Sequence, residues 1–370
     1  MRIAILADPI DNQYAGIHIY TKEFVKALAN YPTEHEYILI RANASDEFQP
    51  LKNVVVKHLA WLPGYKALRM FVLIPLALRR LKVDAVLEPA HFGPFNLPKR
   101  MKRITVIHDL TPILFPQWHP FHSQLLQNTM LRSILKRARL IITNSDNTTS
   151  DLLKCYPENQ NKVKRIFLGR DESFVATNNK AIIHKYGLSE SFFLFTGTIE
   201  PRKNLIFLLN VYTMFRNTTD NKHQLVIVGK KGWKCDDFFV ALDQHPYRDD
   251  IKLLGYVERT ELSALYSNCR AFIYPSLYEG FGLPVLEAMS CGAVCIISYI
   301  SSLPEVGGNA ALRFTLGNTA ELVELMKLVA SDEKKCSALS EQSLIQAKKF
   351  SWKQYVEEFE EVVNEKFKDQ

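Results

Sequence analysis

Residues 271–292 read AFIYPSLYEGFGLPVLEAMSCG: an apolar, β-rich run, a loop with two glycines, and a helix-forming segment. Pro284 suits the first position of that helix, because no hydrogen-bonded N–H is needed there. A strand that leads through a glycine loop into a helix is typical of parallel α/β sheets. The stretch therefore predicts a Rossmann-like unit around it.

The same alternation of apolar runs and helical patterns extends over the rest of the chain in two sets. The first set of predicted strands is 3–6, 37–40, 54–59, 84–88, 104–108, 140–145 and 163–168. The second set is 192–197, 224–229, 251–256, 271–276 and 293–298. Between them RDESFVATNNKAI is polar and unpatterned, which places a linker at about residues 170–190. A chain of 370 residues has room for two such cores.

The predicted fold class is α/β, with two doubly wound domains that face each other across a cleft at the carboxyl ends of their strands. The first domain is predicted at 1–172 and the second at 185–350. Helical segments at 319–331 and 333–349 end the second domain. A final amphipathic helix is predicted within 351–370, packed on either domain, and a return to the first domain is one of the two options.

Composition excludes several classes of protein. Hydrophobic residues make up 47% and charged residues 23% of the chain, which favours a globular protein over a disordered one. No apolar run approaches about 20 residues, so no transmembrane helix is expected. The N-terminus MRIAILADPI is interpreted as a strand and not as a signal peptide. The six cysteines show no zinc-like spacing, and free thiols in the cytoplasm are expected.

Positive charge is concentrated in the first half. Residues 1–175 contain 24 Lys and Arg against 15 Asp and Glu, whereas residues 176–370 contain 22 against 24. Such a surface attracts nucleic acid, an anionic membrane or a phosphorylated acceptor. A solvated face is the alternative, and no nucleic-acid-binding module is recognisable, so no nucleic acid is expected. The apolar run Met70–Leu78, flanked by Lys and Arg, fits a core helix as well as a membrane-seeking one.

The loop of the opening segment has the residue types of a site for a sugar and an anion. Gly280 and Gly282 let the backbone approach a ligand, and the following helix offers N–H groups and partial positive charge. Glu279 and Glu287, eight positions apart, are able to accept hydrogen bonds from sugar hydroxyls. Residue types alone do not separate this interpretation from a plain glycine turn with two solvated glutamates.

A resemblance to a known family favours the site for a sugar and an anion over the plain glycine turn. Residues 279–287 resemble the E-x7-E motif of the retaining glycosyltransferases of the GT-B fold, family 4, also called glycosyl transferases group 1. Further segments follow in the family's order: YAGIHIYTKEFVKAL, VIHDL (106–110), FTGTIEPRKNL (195–205), LVIVGKKG, IKLLGYVERTELSALYSNCRAFIYPSLYEGFG and SSLPEVGGNAAL (301–312). The resemblance implies a metal-independent enzyme that retains anomeric configuration, in which the leaving phosphate accepts the acceptor's proton.

The resemblance also implies roles for matched residues of the second half. Glu287 would bind the ribose hydroxyls of the nucleotide, and Glu279 the transferred sugar or the charge that develops beside it. Arg202 and Lys203 would neutralise the diphosphate. Backbone N–H groups would contact sugar and phosphate at Phe281, Gly282 and Leu283.

In the first half, the resemblance assigns roles to two residues. Gly16 would let a loop approach the phosphate, and His108 would lie beside the reacting sugar carbon. The position of His108 at a strand's carboxyl end, before Asp109, agrees with this role, although a lone histidine is more often packed in a core. One departure is that many members have Arg directly after the glycine that is Gly197 here, and this chain has Thr198. One positive charge of the phosphate clamp is therefore missing.

The leading hypothesis is a retaining hexosyltransferase that acts on a lipid-linked or polysaccharide acceptor in cell-surface glycan synthesis. The alternatives are a transferase that uses a UDP- or dTDP-sugar on a soluble acceptor, and a non-catalytic protein that binds sugar nucleotides. GTIEPRKN resembles members that build bacterial O-antigen and capsule, many of them mannosyltransferases, so GDP-mannose is the first donor expected, with no metal and no other cofactor. An anionic membrane surface, at the inner face of the plasma membrane, is a further expected partner. A dehydrogenase is disfavoured because residues 11–20 lack the glycine fingerprint.

Overall fold

The computed structural model describes residues 1–12, 16–44, 46–59, 61–62, 64–90, 93–94, 96–119, 121–220 and 222–367. The chain folds as two units. The first unit is Met1–Gly169 together with the C-terminal segment from Ser351, and the second is Arg170–Phe350. Among the described residues, none of the helices has both the length and the apolar character that crossing a membrane requires.

The first unit is built on seven parallel strands. They are β1 Arg2–Leu6, β2 Glu36–Arg41, β3 Lys52–Val55, β4 Ala85–Glu88, β5 Lys102–Ile107, β6 Leu140–Thr143 and β7 Val163–Arg165. Their order in the sheet is β3-β2-β1-β4-β5-β6-β7. The order reverses between β1 and β4, and ligands of such sheets bind outside the carboxyl ends at this switch point.

Helices connect these strands. They are α1 Pro9–Asn12, α2 Gly16–Asn30, α3 Tyr65–Leu68, α4 Ile74–Arg80, α5 Thr111–Leu114, α6 Phe121–Arg137 and α7 Asp146–Cys155, with 3₁₀ turns at Pro116–Trp118 and Pro157–Lys162. A π-helical turn, Arg69–Leu73, joins α3 to α4 without a break. The Ser145 hydroxyl caps α7 by accepting from the Thr148 N–H over 3.0 Å, which fixes where that helix begins.

The second unit has six parallel strands. They are β8 Phe192–Thr196, β9 Gln224–Val228, β10 Ile251–Gly255, β11 Ala271–Tyr274, β12 Cys295–Ser298 and β13 Leu312–Phe314, in the order β10-β9-β8-β11-β12-β13. The central strand β8 is fully buried, as its run of apolar residues predicts for a sheet covered on both faces. The strand order of this second sheet reverses between β8 and β11, which is its switch point.

Eight helices belong to the second unit among the residues that the structure describes. They are α8 Ala181–Lys185, α9 Leu205–Asn217, α10 Asp236–Asp243, α11 Arg259–Asn268, α12 Leu283–Ser290, α13 Leu303–Gly307, α14 Thr319–Ser331 and α15 Glu333–Ala347, with 3₁₀ turns at Pro201–Lys203, Arg248–Asp250 and Gly308–Ala310. Asn318 caps α14 and Asp332 caps α15 through their side chains. Asp332, which is not helical and accepts from the Lys335 N–H, ends α14 and begins α15, so these are two helices and not one.

The last helix, α16 Trp352–Phe367, packs on the first unit. The rings of Phe24 and Phe359 lie 5.1 Å apart, and the hydroxyls of Tyr20 and Tyr355 are 2.7 Å apart. The return to the first domain, one of the two options that the sequence leaves open, is therefore the observed one. Residues 368–370 of the predicted span lie outside the described residues.

Two features differ from the sequence-based expectation within a confirmed fold class. The polar segment predicted as a linker belongs to the second unit, where Asp171 pairs with Arg259 and the Phe174 ring packs edge-on against Tyr266 at 5.9 Å. The partners of this segment lie almost 90 residues away, so it has no periodicity of its own. Strand β13 was not predicted, because three residues are too few to show an alternation.

Candidate functional site

A cluster of three charged side chains, two of them buried and one partly buried, lies at the switch point of the second sheet. Arg202 and Lys203 belong to the 3₁₀ turn after β8, and Glu279 lies in the loop after β11. Lys203 Nζ donates to Glu279 Oε1 over 2.6 Å, and Arg202 Nη1 donates to Glu279 Oε2 over 2.6 Å. Each carboxylate oxygen is therefore bound by a different cation, and we call these three residues the charge triad.

Burial and the neighbouring charges together set the protonation states of the triad. The side chains of Lys203 and Glu279 are 7% and 8% exposed, and that of Arg202 is 19% exposed. Burial by itself raises the pKa of Glu279, but the charges of Arg202 and Lys203 outweigh it and hold the pKa at about 2. The pKa of Lys203 is lowered, first by burial and then by Arg202, while Glu279 opposes the shift. Glu279 is thus a carboxylate at neutral pH.

Two further side chains hold the cations of the triad. Arg202 Nη2 donates to Glu200 Oε1 over 2.7 Å, and Lys203 Nζ donates to the Tyr274 hydroxyl over 2.6 Å. Glu200 is buried, and Tyr274 is the last residue of β11. Sequence reasoning named neither residue. Glu200 precedes Arg202 by two positions, and this spacing could have indicated the contact between them. The contact of Tyr274 with Lys203 could not be predicted in this way, because it depends on the pairing of β8 with β11.

Serines before α13 hold the loop that contains Glu279. The Glu279 N–H donates to Ser301 Oγ over 3.0 Å. Ser302 Oγ lies 2.9 Å from the carbonyl oxygens of both Glu279 and Phe281. These serines belong to the segment 301–312 that carried part of the family resemblance, but their role in shaping the loop was not predicted.

The predicted backbone contacts lie where this loop enters α12. The helix begins at Leu283, one residue before the expected Pro284. Gly282 precedes it with φ of 107°, and a Cβ there would lie 2.8 Å from Leu303 Cδ2. Both its backbone angle and this neighbour require glycine. The Phe281 side chain is buried and packs edge-on against Phe350 at 5.8 Å between ring centroids.

Glu287 has partners different from those of Glu279. Its Oε2 accepts from the Tyr266 hydroxyl over 3.1 Å, and that hydroxyl lies 2.6 Å from Thr196 Oγ1 at the end of β8. Burial raises the pKa of Glu287 to about 7, although Arg259 and Tyr266 lower it, and nearby Asp171 adds to the rise. Near neutral pH this carboxyl group is therefore part protonated and part ionised.

The two remaining predicted residues belong to the first unit. His108 directly follows β5, and its Nε2 donates to the Pro89 carbonyl over 2.8 Å. Burial lowers the pKa of His108, so the ring is neutral, and with the proton on Nε2 its Nδ1 has a free lone pair. Gly16 is the exposed first residue of α2, and a Cβ there would meet no described atom within 4 Å. Packing within this unit does not require glycine at that position.

The described residues contain no group of three or more His, Cys, Asp or Glu side chains that is arranged to hold a metal ion.

Comparison with known proteins assigns both halves of the chain. Residues 178–345 match the family Glycosyl transferases group 1, and residues 14–174 match Glycosyltransferase Family 4. O-antigen chain mannosyltransferase B of Escherichia coli is 30% identical over 374 residues, which cover 95% of this chain and 96% of that protein. O-antigen chain mannosyltransferase RfbU of Salmonella typhimurium is 26% identical over 59% of this chain and 58% of that protein. The structure of Anabaena Alr3699/HepE with UDP and glucose has a similar fold, with a TM-score of 0.76 and 16% identity over 98% of this chain and 99% of that one.

Proposed function

The chain belongs to glycosyltransferase family 4, glycosyl transferases group 1, and we propose that it transfers a mannosyl group from GDP-mannose to a lipid-linked or polysaccharide acceptor in cell-surface glycan synthesis. Two relatives, at 30% and 26% identity, are O-antigen chain mannosyltransferases, which supports this choice of sugar and pathway class. The observation that carries the proposal is the charge triad at the switch point, next to the N-terminus of α12. Two cations beside the N-terminus of a helix suit a diphosphate.

Arg202 and Lys203 have different roles toward the diphosphate. Arg202 is more exposed than Lys203, 19% against 7%, so we assign the direct contact with the leaving phosphates to Arg202. Lys203 supplies a second positive charge from a buried position. Fixed charges of this kind stabilise the negative charge that the leaving nucleoside diphosphate gains as the sugar bond breaks. Backbone N–H groups at Phe281, Gly282 and Leu283 add donors at the start of the helix.

Glu279 orients the two cations and also accepts a hydrogen bond from a hydroxyl of the sugar. Each oxygen of an ionised carboxylate accepts two hydrogen bonds, so the bonds from Arg202 and Lys203 leave capacity for a ligand. Glu287 binds the ribose hydroxyls. Its pKa of about 7 means that donated hydrogen bonds from the nucleotide draw this group toward the carboxylate.

Transfer proceeds with retention of configuration and without a metal ion. The bond between the anomeric carbon and the phosphate oxygen breaks, the acceptor oxygen bonds to the same face of that carbon, and the acceptor proton passes to the leaving phosphate. We assign His108 to the reacting carbon, and the Pro89 carbonyl, which accepts the hydrogen bond from Nε2, supports a neutral ring in that role. Reaction at the inner face of the plasma membrane would bring the basic first unit to an anionic surface and a lipid-linked acceptor.

A panel of sugar nucleotides tests the donor. Thermal unfolding is measured with GDP-mannose, UDP-glucose and dTDP-rhamnose, since a ligand that binds only the native state raises its stability, by about 2.7 kcal/mol at a hundredfold excess over Kd. We expect the largest shift with GDP-mannose, loss of that shift in Glu287→Ala, and no loss in the matched surface variant Glu324→Ala on α14. A shift with UDP- or dTDP-sugars alone would replace GDP-mannose by that donor.

Product analysis tests the reaction. Mannose released or transferred from GDP-mannose is followed by NMR at the anomeric proton, and the first product formed should have the α configuration of the donor. A first product of β configuration would show inversion and refute the retaining mechanism. Binding without any release or transfer would favour the non-catalytic alternative.

A further inference from the structure

Five large apolar side chains of the first unit are exposed in one stretch of chain between β3 and β4. Trp61 is 77% exposed, and the other four are 40% to 44% exposed. The five, which we call the apolar stripe, are Trp61, Leu62, Leu68, Val72 and Leu76. The last three recur every fourth residue along the continuous helical run Tyr65–Arg80, which places them on one side of it.

The opposite side of the same run makes the packing contacts. Ile74 and Leu78 are fully buried in a core with residues of β1, β2 and β4, and Met70 packs against that core. The helix is therefore anchored by its inner side alone. The apolar stripe adds nothing to this core and leaves a row of large side chains in water, and such exposed patches mark interaction sites.

The stretch around the apolar stripe carries positive charge only. Residues 48–83 contain no Asp or Glu. Six of their basic side chains are exposed, and none of the six pairs with an acidic side chain in the part of the chain that the structure describes: Lys52, Lys57, Lys66, Arg79, Arg80 and Lys82. The seventh, Arg69, is buried, and its Nη2 lies 2.7 Å from Asp8 Oδ1.

The chemistry of both features selects one partner. Nucleic acid or an acidic protein suits the basic side chains but not an exposed row of leucines, and a purely apolar partner does not suit six positive charges. An anionic bilayer satisfies both, because its headgroups attract Lys and Arg while Trp and Leu enter the boundary with the acyl chains. We propose that the apolar stripe docks the first unit on an anionic membrane surface. The inference deepens the proposed function, on which it rests for its purpose, because it names the surface that brings the enzyme to a lipid-linked acceptor.

Vesicle co-sedimentation of the full chain tests the docking surface. Vesicles of phosphatidylcholine are compared with vesicles that also contain phosphatidylglycerol, and we expect binding to the anionic vesicles that salt weakens. The double variant Arg79→Gln/Arg80→Gln should bind roughly 25-fold more weakly, since each basic residue near the surface accounts for roughly fivefold. Trp61→Ser should lose roughly tenfold by removing an interfacial aromatic side chain.

Matched variants in the second unit control for charge and hydrophobicity in general. Lys348→Gln/Lys349→Gln removes two adjacent exposed bases, and Ile345→Gln removes a side chain that is 61% exposed. Both should bind vesicles like the unchanged protein. Equal losses in these variants and in the variants of the apolar stripe would overturn the proposal, and so would equal binding to neutral and anionic vesicles. Melting temperatures within error of the unchanged protein verify that the variants fold.

Two further measurements distinguish membrane docking from dimer formation and from a failure of the proposed function. Light scattering reports the mass in solution, and a dimer that Leu68→Gln/Leu76→Gln converts to a monomer, without any vesicle binding, would assign the apolar stripe to a second copy of the chain. GDP-mannose turnover without vesicles should be unchanged in the variants of the apolar stripe. Turnover without vesicle binding overturns the docking surface alone, whereas vesicle binding without turnover overturns the proposed function alone.

Discussion

The two units share a strand order but neutralise their buried cations in different ways. In the first unit each arginine near the carboxyl edge has its own aspartate, because Arg41 pairs with Asp11 and Arg69 with Asp8. In the second unit Arg202 and Lys203 share the carboxylate of Glu279, and Arg202 also pairs with Glu200. Separate pairs hold a loop in place, whereas a shared carboxylate couples two cations at a switch point, the place where ligands of such sheets usually bind. The same strand order thus supports ion pairs that are separate in one unit and linked through a shared carboxylate in the other.

The largest expected effect is on stability, and it should be similar in both units. Glu279→Ala leaves the buried Lys203 without its paired carboxylate, and Asp11→Ala leaves the buried Arg41 without its own, so each change should lower the free energy of unfolding by about 3–5 kcal/mol. The burial of Glu279 is the reason for an effect of this size, because an exposed loop carboxylate would contribute little to the free energy of unfolding. Urea denaturation measures the loss.

Catalytic activity should differ between the same two variants. At a temperature where both are folded, Glu279→Ala should lower kcat for transfer and Asp11→Ala should not, because the proposed donor contacts involve the charge triad and not the Asp11–Arg41 pair. Equal kinetic damage in Asp11→Ala would show that the contrast between the units is wrong, and a wild-type melting curve for Glu279→Ala would remove the basis of the charge triad.

A change in the first unit with a purely kinetic effect is the next in size. His108→Gln should lower kcat roughly a hundredfold with little change in the donor KM, because a group beside the reacting carbon acts mainly in the transition state. Steady-state kinetics with varied donor measure this split. His58→Gln, an exposed histidine of the same unit, is the control and should leave both constants unchanged.

Loss of the second glutamate should have the opposite kinetic signature. Glu287→Ala should raise the donor KM roughly tenfold to a hundredfold with a smaller change in kcat, since a charged hydrogen bond to the ribose is worth about 1.5–3 kcal/mol in ground and transition states alike. Its loss of stability should be smaller than that of Glu279→Ala, because the hydrogen bond that the structure shows for the Glu287 carboxyl group comes from the neutral Tyr266 hydroxyl. Wild-type kinetics in Glu287→Ala would mean that this carboxyl group is structural.

The smallest effect is a pH dependence that only one glutamate should show. The pKa of Glu287 is raised from 4.5 to about 7, so the native state binds the extra proton between these values and its contribution to stability is lost as pH rises through about 7. Donor affinity should change the other way, rising up to roughly tenfold from about pH 6 to about pH 8 as the carboxylate forms.

Calorimetric titration with GDP across this range checks the sign. Glu287→Gln should abolish the dependence. Glu279→Gln should retain it, because the pKa of Glu279 is about 2 and its carboxylate does not titrate near neutral pH. A flat profile in the unchanged protein would show that Glu287 does not contact the nucleotide.

Local signals account for what could be predicted of the fold. The helix predicted at 319–331 has those bounds in the structure, because Asn318 and Asp332 cap α14 and α15 through contacts three residues away. Residues 170–190 group with the second unit, in which Asp171 finds its partner in Arg259, far along the chain. A pattern of neighbouring residues contains no information about such a pair.

The amino-acid sequence by itself determined the two sets of strands, the glycine loop before α12 and the residue types of the site, because hydrophobic periodicity and turn chemistry are local. Only the tertiary structure decided that Glu279 binds two cations 76 and 77 residues away, since the parallel pairing of β8 with β11 brings them together. It also decided that Ile74 and Leu78 enter the core while Val72 and Leu76 face water. The run Met70–Leu78 is apolar on every side, so its pattern could not say which side the sheet would cover.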